Sequence, residues 1–365
     1  MRNFRLSWIF GVSSLLLLLG GCGGGGDGGS STANTPAAVV VTPATAPAPS
    51  PTPSQTPQPT PTPTPVAADP ASPAPTGSWA ARAAALFTSQ PDVPDCRAGV
   101  LADSVRADVL ARLNAIRALH RLPAVTYSSA DDEQATQAAL MMAANGQLTH
   151  TPPADWKCYT DTGSTGAGTS NLYGGLISPY LAYYTEDMYL GGWLTETTNL
   201  VANNVGHRRW MLDPFLGKIS YGRVAQVLAD GSRTDAAAMK VVSFTGGVTA
   251  PGGLPPYVAY PYGDYPARYF DPAALLSFSV IADATRRGGA NAQVDFSKAT
   301  IRVANGDTAL TVSNISFDNT GYGVPNNIQF AVAGLANGVT YTVTIDGVTV
   351  RGQPQSYSYT FRIVP

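Results

Sequence analysis

The segment that decides the fold is Asn-Asn-Val-Gly-His-Arg-Arg-Trp-Met-Leu-Asp-Pro, at residues 203–214. His207 is one of only three histidines in the 365-residue chain, and it follows Gly206 directly. A histidine titrates near neutral pH and can bind a metal through its ring nitrogens, whereas the apolar residues 210–212 are typical core anchors. A titratable side chain between a glycine and core anchors predicts the wall of a cleft. The alternative is a buried histidine with a structural hydrogen bond.

Length and charge narrow the class of protein. A chain of 365 residues favours two domains plus tails. The formal net charge is −2, and charged residues make up 13% of the chain, against about 25% in an average soluble protein. Because the sequence contains no basic stripe, we do not expect nucleic acid as a partner.

The N-terminus predicts an export signal and a lipid anchor. Arg2 and Arg5 precede an apolar segment at residues 8–19, which is too short for a membrane span of about 20 residues. Leu-Gly-Gly-Cys at residues 19–22 resembles a bacterial lipobox, and this resemblance implies cleavage before Cys22 and acylation of its sulfur. A plain cleavable signal peptide is the alternative. We therefore predict an exported, membrane-anchored lipoprotein, held at the outer membrane or cell surface through lipidated Cys22.

The rest of the chain divides into a linker and two domains. After the signal peptide, residues 1–21, residues 22–77 are rich in Gly, Pro and Thr and lack apolar periodicity, which predicts a disordered, extended linker. Residues 78–250 carry helical patterns, whereas residues 251–365 carry about seven short strand patterns separated by turns, which predicts a β-sandwich. Residues 335–341, Leu-Ala-Asn-Gly-Val-Thr-Tyr, resemble the tyrosine corner of fibronectin type III-like domains.

Apolar spacing and turn residues predict the main elements of the first domain. We expect helices at residues 103–119, 131–145 and 185–197, and strands at residues 219–224 and 239–244. The Gly/Ser/Thr-rich segment 162–175 is expected to be irregular, and the Pro/Gly/Tyr-rich residues 251–262 are expected to be a connector.

The cysteine count predicts one disulfide. The chain has three cysteines, and the lipobox uses Cys22. Cys96 and Cys158 are then an even pair in an exported protein, which favours a disulfide between them over two free thiols.

The order of motifs in the first domain resembles the CAP superfamily of cysteine-rich secretory proteins, antigen 5 and pathogenesis-related 1 proteins, in its bacterial SCP-like extracellular branch. The motifs are Asn114 and Arg117 on a helix, Gly-Gln-Leu-Thr-His150, Ser170-Asn-Leu172, Trp193-Leu-Thr-Glu196 and Asn204-Val-Gly-His-Arg-Arg-Trp210. The resemblance covers about residues 97–245. It implies an α+β fold, in which a CAP-type α-β-α sandwich with an open central cleft precedes the immunoglobulin/fibronectin III-like all-β sandwich.

The resemblance also implies a set of cleft residues. In many members the cleft holds two histidines and two glutamates. His150 and His207 match the histidines and are the predicted ligands for Zn²⁺ or another divalent cation, and Glu196 matches the tryptophan-linked glutamate. Ser170 stands where the family's Gly-Glu-Asn-Leu/Ile motif has its other glutamate, and Asn171 follows it as in the motif. We therefore expect Ser170 and Asn171 in the cleft, and a departure from the family's chemistry there.

The cleft residues support three hypotheses. The favoured one is binding of a lipid, glycan or peptide from the envelope or its surroundings, with weak divalent-metal binding and no catalysis. An extracellular protease or esterase is the alternative, with His150, Glu196 and His207 as catalytic candidates. No Gly-x-Ser-x-Gly motif surrounds Ser170. The third hypothesis is a purely structural envelope protein, in which the β-sandwich is a spacer or adhesion module.

Other polar residues of the first domain have two possible roles. Four tyrosines precede Glu196 and either line a groove or pack in part against the core; they are Tyr180, Tyr183, Tyr184 and Tyr189. Arg208 and Arg209 are adjacent, so we expect one to pair with Asp213 or Asp187 and the other to face solvent. His120 closes the first helix, and we expect it to be structural.

Overall fold

The computed structural model describes residues 77–199, 204–242 and 252–365. The predicted signal peptide, Cys22 and all but the last residue of the predicted linker lie outside these ranges and remain predictions. All the described residues belong to one compact unit, Pro59–Pro365. None of the helices within these ranges is both long enough and apolar enough to cross a membrane.

The helices all lie in the first part of the described chain, residues 77–242. They are α1 (Trp79–Ala84), α2 (Asp103–Leu119), α3 (Asp132–Asn145), α4 (Asp161–Gly168), α5 (Glu186–Thr195) and α6 (Gly206–Met211). Helix α2 has the predicted bounds, and α3 ends as predicted, at Gly146 in the left-handed conformation.

The strands of the first part are β1 (Phe87–Ser89), β2 (Val100–Leu101), β3 (Thr126–Tyr127), β4 (Ser170–Ser178), β5 (Lys218–Val227) and β6 (Arg233–Lys240). The last four form a sheet of order β3-β5-β6-β4. Alternate side chains of β6 point to opposite faces. Ala236 and Ala238 pack in the core cluster of α3, whereas Ala237 and Met239 pack with α2 and α5. Helices therefore cover both faces of the sheet, which confirms the α-β-α sandwich.

The second part, residues 252–365, contains strands and short 3₁₀ turns. The strands are β7 (Tyr257–Tyr260), β8 (Gly263–Pro266), β9 (Leu276–Val280), β10 (Val294–Asp295), β11 (Thr300–Asn305), β12 (Thr308–Ala309), β13 (Val312–Asp318), β14 (Asn327–Val332), β15 (Thr340–Val350) and β16 (Gln353–Val364). One sheet has the order β12-β11-β15-β16-β8, with β10 also paired to β15, and the other has the order β13-β14-β9-β7.

The two sheets of the second part pack face to face, as a β-sandwich requires. Phe278 of β9 stacks on Tyr359 of β16 with ring centroids 6.0 Å apart. The tyrosine corner is present, because Ala336 N donates a hydrogen bond to the Tyr341 hydroxyl at 2.9 Å. The expectation of a plain connector at residues 251–262 is wrong in part, because β7 lies within it and pairs with β9.

The expectation that residues 162–175 are irregular is wrong, because they contain most of α4 and the start of β4. The reason is tertiary packing. A Cβ atom on Gly166 would lie 2.0 Å from Gln134 O of α3, so the glycine allows α4 to approach α3 closely. Thr160 begins α4 by accepting a hydrogen bond from Gly163 N at 2.9 Å. Low intrinsic helix propensity is thus offset by close packing and a cap.

Asn114 and Arg117 of the α2 motif have structural roles. The Asn114 side chain exchanges two hydrogen bonds with the backbone of Val125. The guanidinium of Arg117 is fully buried and donates to Met211 O and Asp213 O at 2.7 and 2.9 Å. It therefore satisfies carbonyl groups at the end of α6 and fixes the position of the helix that carries His207.

His120 predicts a pH dependence of stability. Its buried ring contacts Ala259 O at 2.8 Å and the Tyr265 hydroxyl at 3.1 Å, and burial lowers its pKa to about 3. The unfolded chain takes up this proton near pH 6.5, so the stabilisation is present above that pH and is lost as the pH falls towards 3. We expect the free energy of unfolding to fall by up to about 1.4 kcal/mol per pH unit below pH 6.5. Urea unfolding between pH 7 and pH 5 would measure this slope.

The matched variant for this prediction is His120→Asn, which keeps a polar group but does not titrate. It should be less stable than the parent at pH 7 and should show a shallower slope. Equal slopes in the two proteins would show that another group causes the pH dependence.

The predicted disulfide between Cys96 and Cys158 is confirmed, with Cα atoms 5.2 Å apart and a sequence separation of 62. It joins the segment before α2 to the loop after α3. Because a cross-link over such a loop restricts the unfolded chain, reduction should lower the free energy of unfolding by about 2–4 kcal/mol. Urea unfolding with and without reductant measures this, and a Cys96→Ser/Cys158→Ser double variant should be insensitive to reductant. An unchanged midpoint on reduction of the parent would contradict the prediction.

Candidate functional site

A pocket of about 420 Å³ lies beside the sheet of the first part. Its lining includes four residues predicted for the cleft, namely His150, Ser170, Asn171 and His207. Side chains of the second part, in the loop Thr320–Tyr322, also line it. The pocket is therefore bounded by both parts of the described chain.

The two histidines lie close together, as the sequence predicts. His150 is in the loop between α3 and α4, and His207 is in the first turn of α6, yet their ring centroids are 6.3 Å apart at an interplanar angle of 37°. The close approach follows from the packing of α4 on α3 and from the contact of α6 with the start of β4, where Asn171 donates to His207 O. The two histidines are 57 positions apart in the sequence, and only the family resemblance indicated that they meet.

The ring of His150 is oriented by the backbone. Its Nδ1 lies 2.8 Å from Ala167 O, and because a carbonyl only accepts, Nδ1 carries the proton and Nε2 keeps a lone pair. Partial burial lowers the pKa of His150; the bond to Ala167 O opposes this effect, and neighbouring His207 adds to it. His150 therefore favours the neutral form, in which Nε2 accepts a hydrogen bond or binds a metal.

Glu196 orients the ring of His207. Its carboxylate oxygen Oε2 lies 2.9 Å from His207 Nδ1, and Oε1 accepts from Arg208 N at 3.0 Å. Asn199 Nδ2 donates to the same carboxylate at 2.8 Å. An ionised carboxylate only accepts, so Nδ1 of His207 carries a proton and its Nε2 is left for other partners. Neither Nε2 of the two histidines has a hydrogen bond to a described residue.

Glu196 lies after the end of α5 and not within the helix that the sequence predicts. Helix α5 ends at Thr195, and Glu196 follows in the left-handed conformation with φ 61°. The helix predicted at residues 185–197 therefore ends two residues early, and Trp193 and Glu196 do not share a helix face. Trp193 is buried and donates to Leu172 O at 2.9 Å, whereas Glu196 turns towards α6.

Ser170 lies where the family motif has a glutamate, and its hydroxyl is unusual. The residue is 5% exposed, and among the described residues its Oγ has no hydrogen-bond partner. A buried hydroxyl without a partner costs free energy, so this atom is suited to a ligand or a water molecule in the pocket. Next to it, Asn171 Nδ2 donates to His207 O at 3.0 Å and holds the start of α6 against β4.

The donor set does not form a complete zinc site. A catalytic zinc usually has three protein ligands plus water, whereas the described residues contain no group of three or more His, Cys, Asp or Glu side chains that could hold a metal. The carboxylate of Glu196 is held by its contacts with His207 and Arg208 N. Weak binding of a divalent cation by the two imidazoles stays a prediction.

Both arginines of the deciding segment are buried, so the expectation that one faces solvent is wrong. Arg208 is 1% exposed and donates to Leu194 O and Thr195 O of α5, and to Leu275 O and Ser277 of the second part. Arg209 is 7% exposed and pairs with Asp318 of the second part at 2.8 Å. Neither pairs with an aspartate of the first domain in the described structure.

The four tyrosines before Glu196 do not line this pocket. Tyr189 is buried and stacks on Trp193 at 6.3 Å, and Tyr183 donates to Arg82 O. Tyr180 is 90% exposed. The packing hypothesis therefore describes Tyr189 and Tyr183 better than the groove hypothesis does.

Residues 110–226 match the family model described as CAP, cysteine-rich secretory protein family. The matched segment contains His150, Ser170, Glu196 and His207, and it ends within β5. The second part, with the loop Thr320–Tyr322, lies beyond it. No curated protein matches the chain.

Proposed function

The chain belongs to the CAP family through residues 110–226, and from this premise we propose that it is an exported binding protein with its ligand site between His150 and His207. The secretory character of the family supports export. In the proposal, lipidated Cys22 holds the protein on a membrane and the Pro-rich linker extends the two domains away from it.

One observation carries the proposal. The pocket brings together two imidazoles whose Nδ1 atoms are already held, by Ala167 O and Glu196, and whose Nε2 atoms have no described partner. The unpartnered hydroxyl of Ser170 adds a third polar group in the same lining. Preorganised polar groups in a concave site are typical of ligand recognition. A binding role needs no further catalytic group.

Hydrolysis is the second candidate, and the bond between His207 and Glu196 is what favours it. A carboxylate that orients an imidazole is the base half of a catalytic triad. The nucleophile is not assembled, because Ser170 Oγ forms no hydrogen bond with either described ring. If the site hydrolyses a substrate, His207 would therefore act on a water molecule.

Thermal-shift screening of the purified full chain would test the binding proposal, with neutral oligosaccharides, short peptides and fatty acids as probes. A His150→Ala/His207→Ala variant should lose the stabilisation by the probe, and Thr151→Ala, in the same loop but outside the pocket lining, should keep it. Equal stabilisation of the double variant would place the ligand elsewhere.

A peptide and ester substrate panel separates the two candidates. Turnover that is present in the parent and lost in Glu196→Gln would favour the hydrolase. Binding without turnover would favour the binding protein. For the anchor, an alkyne-labelled palmitate analogue should label the parent but not Cys22→Ser, and label that survives in the variant would remove the anchor from the proposal.

A further inference from the structure

The second part of the chain supplies a fixed wall of the pocket. The loop between β13 and β14 is held by Arg209, whose guanidinium donates to Asp318 at 2.8 Å, to Thr320 O at 2.6 Å and to Val324 O at 3.2 Å. Gly323, with φ 70°, lies against α6, and a Cβ atom there would be 2.7 Å from Arg209 O. The loop is therefore clamped to the helix that carries His207.

Two aromatic rings lie in this region of the lining. Trp210 comes from α6 and Tyr322 from the clamped loop, and both are half-buried pocket residues. Gly206 lies beside the second ring, since a Cβ atom built on Gly206 would be in van der Waals contact with Tyr322 Cγ, at 3.6 Å. Half-buried aromatic rings in a pocket offer apolar area at a small cost in side-chain entropy.

The remaining lining combines the apolar Val241 and Val242 with polar side chains that carry no fixed charge. None of the described lining residues is Asp, Glu, Lys or Arg. Its hydrogen-bonding side chains are amides, hydroxyls and imidazoles. The sequences 200–203 and 243–251, which adjoin lining residues along the chain, contain no ionisable side chain either. A charged ligand would therefore lose its hydration without gaining an ion pair with a described Asp, Glu, Lys or Arg lining residue.

We propose that the pocket binds a neutral sugar residue whose apolar face packs on Trp210 and Tyr322 and whose hydroxyls bond to His150, His207 and Ser170. A pyranose has both surfaces that the lining needs: a face of C–H groups and a rim of hydroxyls that donate and accept. A fatty acid would leave the polar groups without partners, and its carboxylate would meet no Lys or Arg side chain among the described lining residues. The β-rich part is then a portion of the binding site and not only a spacer.

This assignment rests on the proposed binding function, and calorimetry on the purified full chain tests both. The probes are three neutral tetrasaccharides (β-1,4-linked glucose, β-1,4-linked N-acetylglucosamine and α-1,4-linked glucose), a sulfated tetrasaccharide and an uncharged tetrapeptide. We expect a neutral sugar to bind, and Tyr322→Ala or Trp210→Ala to weaken its binding about tenfold or more. Tyr322→Phe, which keeps the ring, should recover most of that loss.

The matched control is Phe317→Ala, an aromatic of the same part that is 46% exposed and outside the pocket lining. It should bind as the parent does. Gly323→Ala should weaken sugar binding without removing the ring, because it displaces the loop. Circular dichroism of each variant would establish that it is folded.

The outcomes distinguish this inference from the binding function itself. Binding of a neutral sugar that requires His150 and His207 but neither Tyr322 nor Trp210 would support the proposed binding function. It would contradict the inferred role of the two aromatic rings. Selective binding of the sulfated sugar or of the peptide would overturn the ligand class. Failure of all three neutral sugars to bind at millimolar concentration would overturn it as well.

Discussion

Arg208→Met is expected to lower the free energy of unfolding by about 3–5 kcal/mol, a large effect for one substitution. The guanidinium donates to Leu194 O at 2.5 Å and to Thr195 O at 3.1 Å, which are carbonyls at the end of α5 without a partner inside the helix. It also donates to Leu275 O at 2.7 Å in the β-rich part and lies 3.8 Å from the Tyr260 ring centroid. Methionine would fill part of the volume but leave these buried carbonyls without donors.

Urea unfolding measures this change, and Arg302→Met is the matched control, because Arg302 is exposed on β11. The control should stay within about 0.5 kcal/mol of the parent. Arg208→Lys should restore only part of the lost stability, because an ammonium cannot reproduce the planar array of donors. A stability loss below about 1 kcal/mol in Arg208→Met would show that water replaces the guanidinium at these carbonyls.

The position of Arg208 also explains why site and fold are difficult to separate. Its backbone N–H donates to Glu196, which orients His207, while its side chain joins α5 to the β-rich part. Loss of the guanidinium should therefore disturb the pocket as well as the stability. The contact that Arg208 makes with the β-rich part therefore also helps to hold His207 and Glu196 in position.

The spacing of apolar residues predicted the helices that bury one apolar stripe and the strands that bury one apolar face. Helix α2 repeats Val109, Leu113 and Ile116 at helical spacing, and these three residues have no exposed surface. Alternating apolar and polar residues, with turn residues between the runs, predict the strands of the β-rich part, as in Thr340–Val350. In both cases the physical cause is local, so the sequence is sufficient.

The sequence could not predict features that depend on contacts distant along the chain. Helix α4 forms from residues of low helix propensity because Gly166 allows close packing on α3. Arg208 and Arg209 are buried because the β-rich part, more than 60 residues later, supplies their acceptors. Tyr322 carries no motif that links it to His207. His150 and His207 were paired only through the resemblance to a family.

Ser170→Glu is expected to create a divalent-metal site, with an increase in zinc affinity on the order of 100-fold over the parent. Ser170 shares the pocket lining with both imidazoles, whose centroids are 6.3 Å apart, and its own Oγ has no described partner. A carboxylate at this position would add a third ligand to the two Nε2 atoms. Zinc titration against a competing chelator dye measures the change, and addition of His150→Ala should remove the gain.

Ser170→Gln is the matched control, because it adds the same length of side chain without the charge. The amide should not raise the affinity, since zinc prefers imidazole, thiolate and carboxylate ligands. Equal affinity in the Glu and Gln variants would show that the side chain at 170 does not reach the two rings. A gain in zinc affinity confined to Ser170→Glu would mean that a single substitution converts the uncharged cleft of this chain into a metal-binding one. The metal ligands and the sugar-binding groups would then be alternative uses of the same two imidazoles.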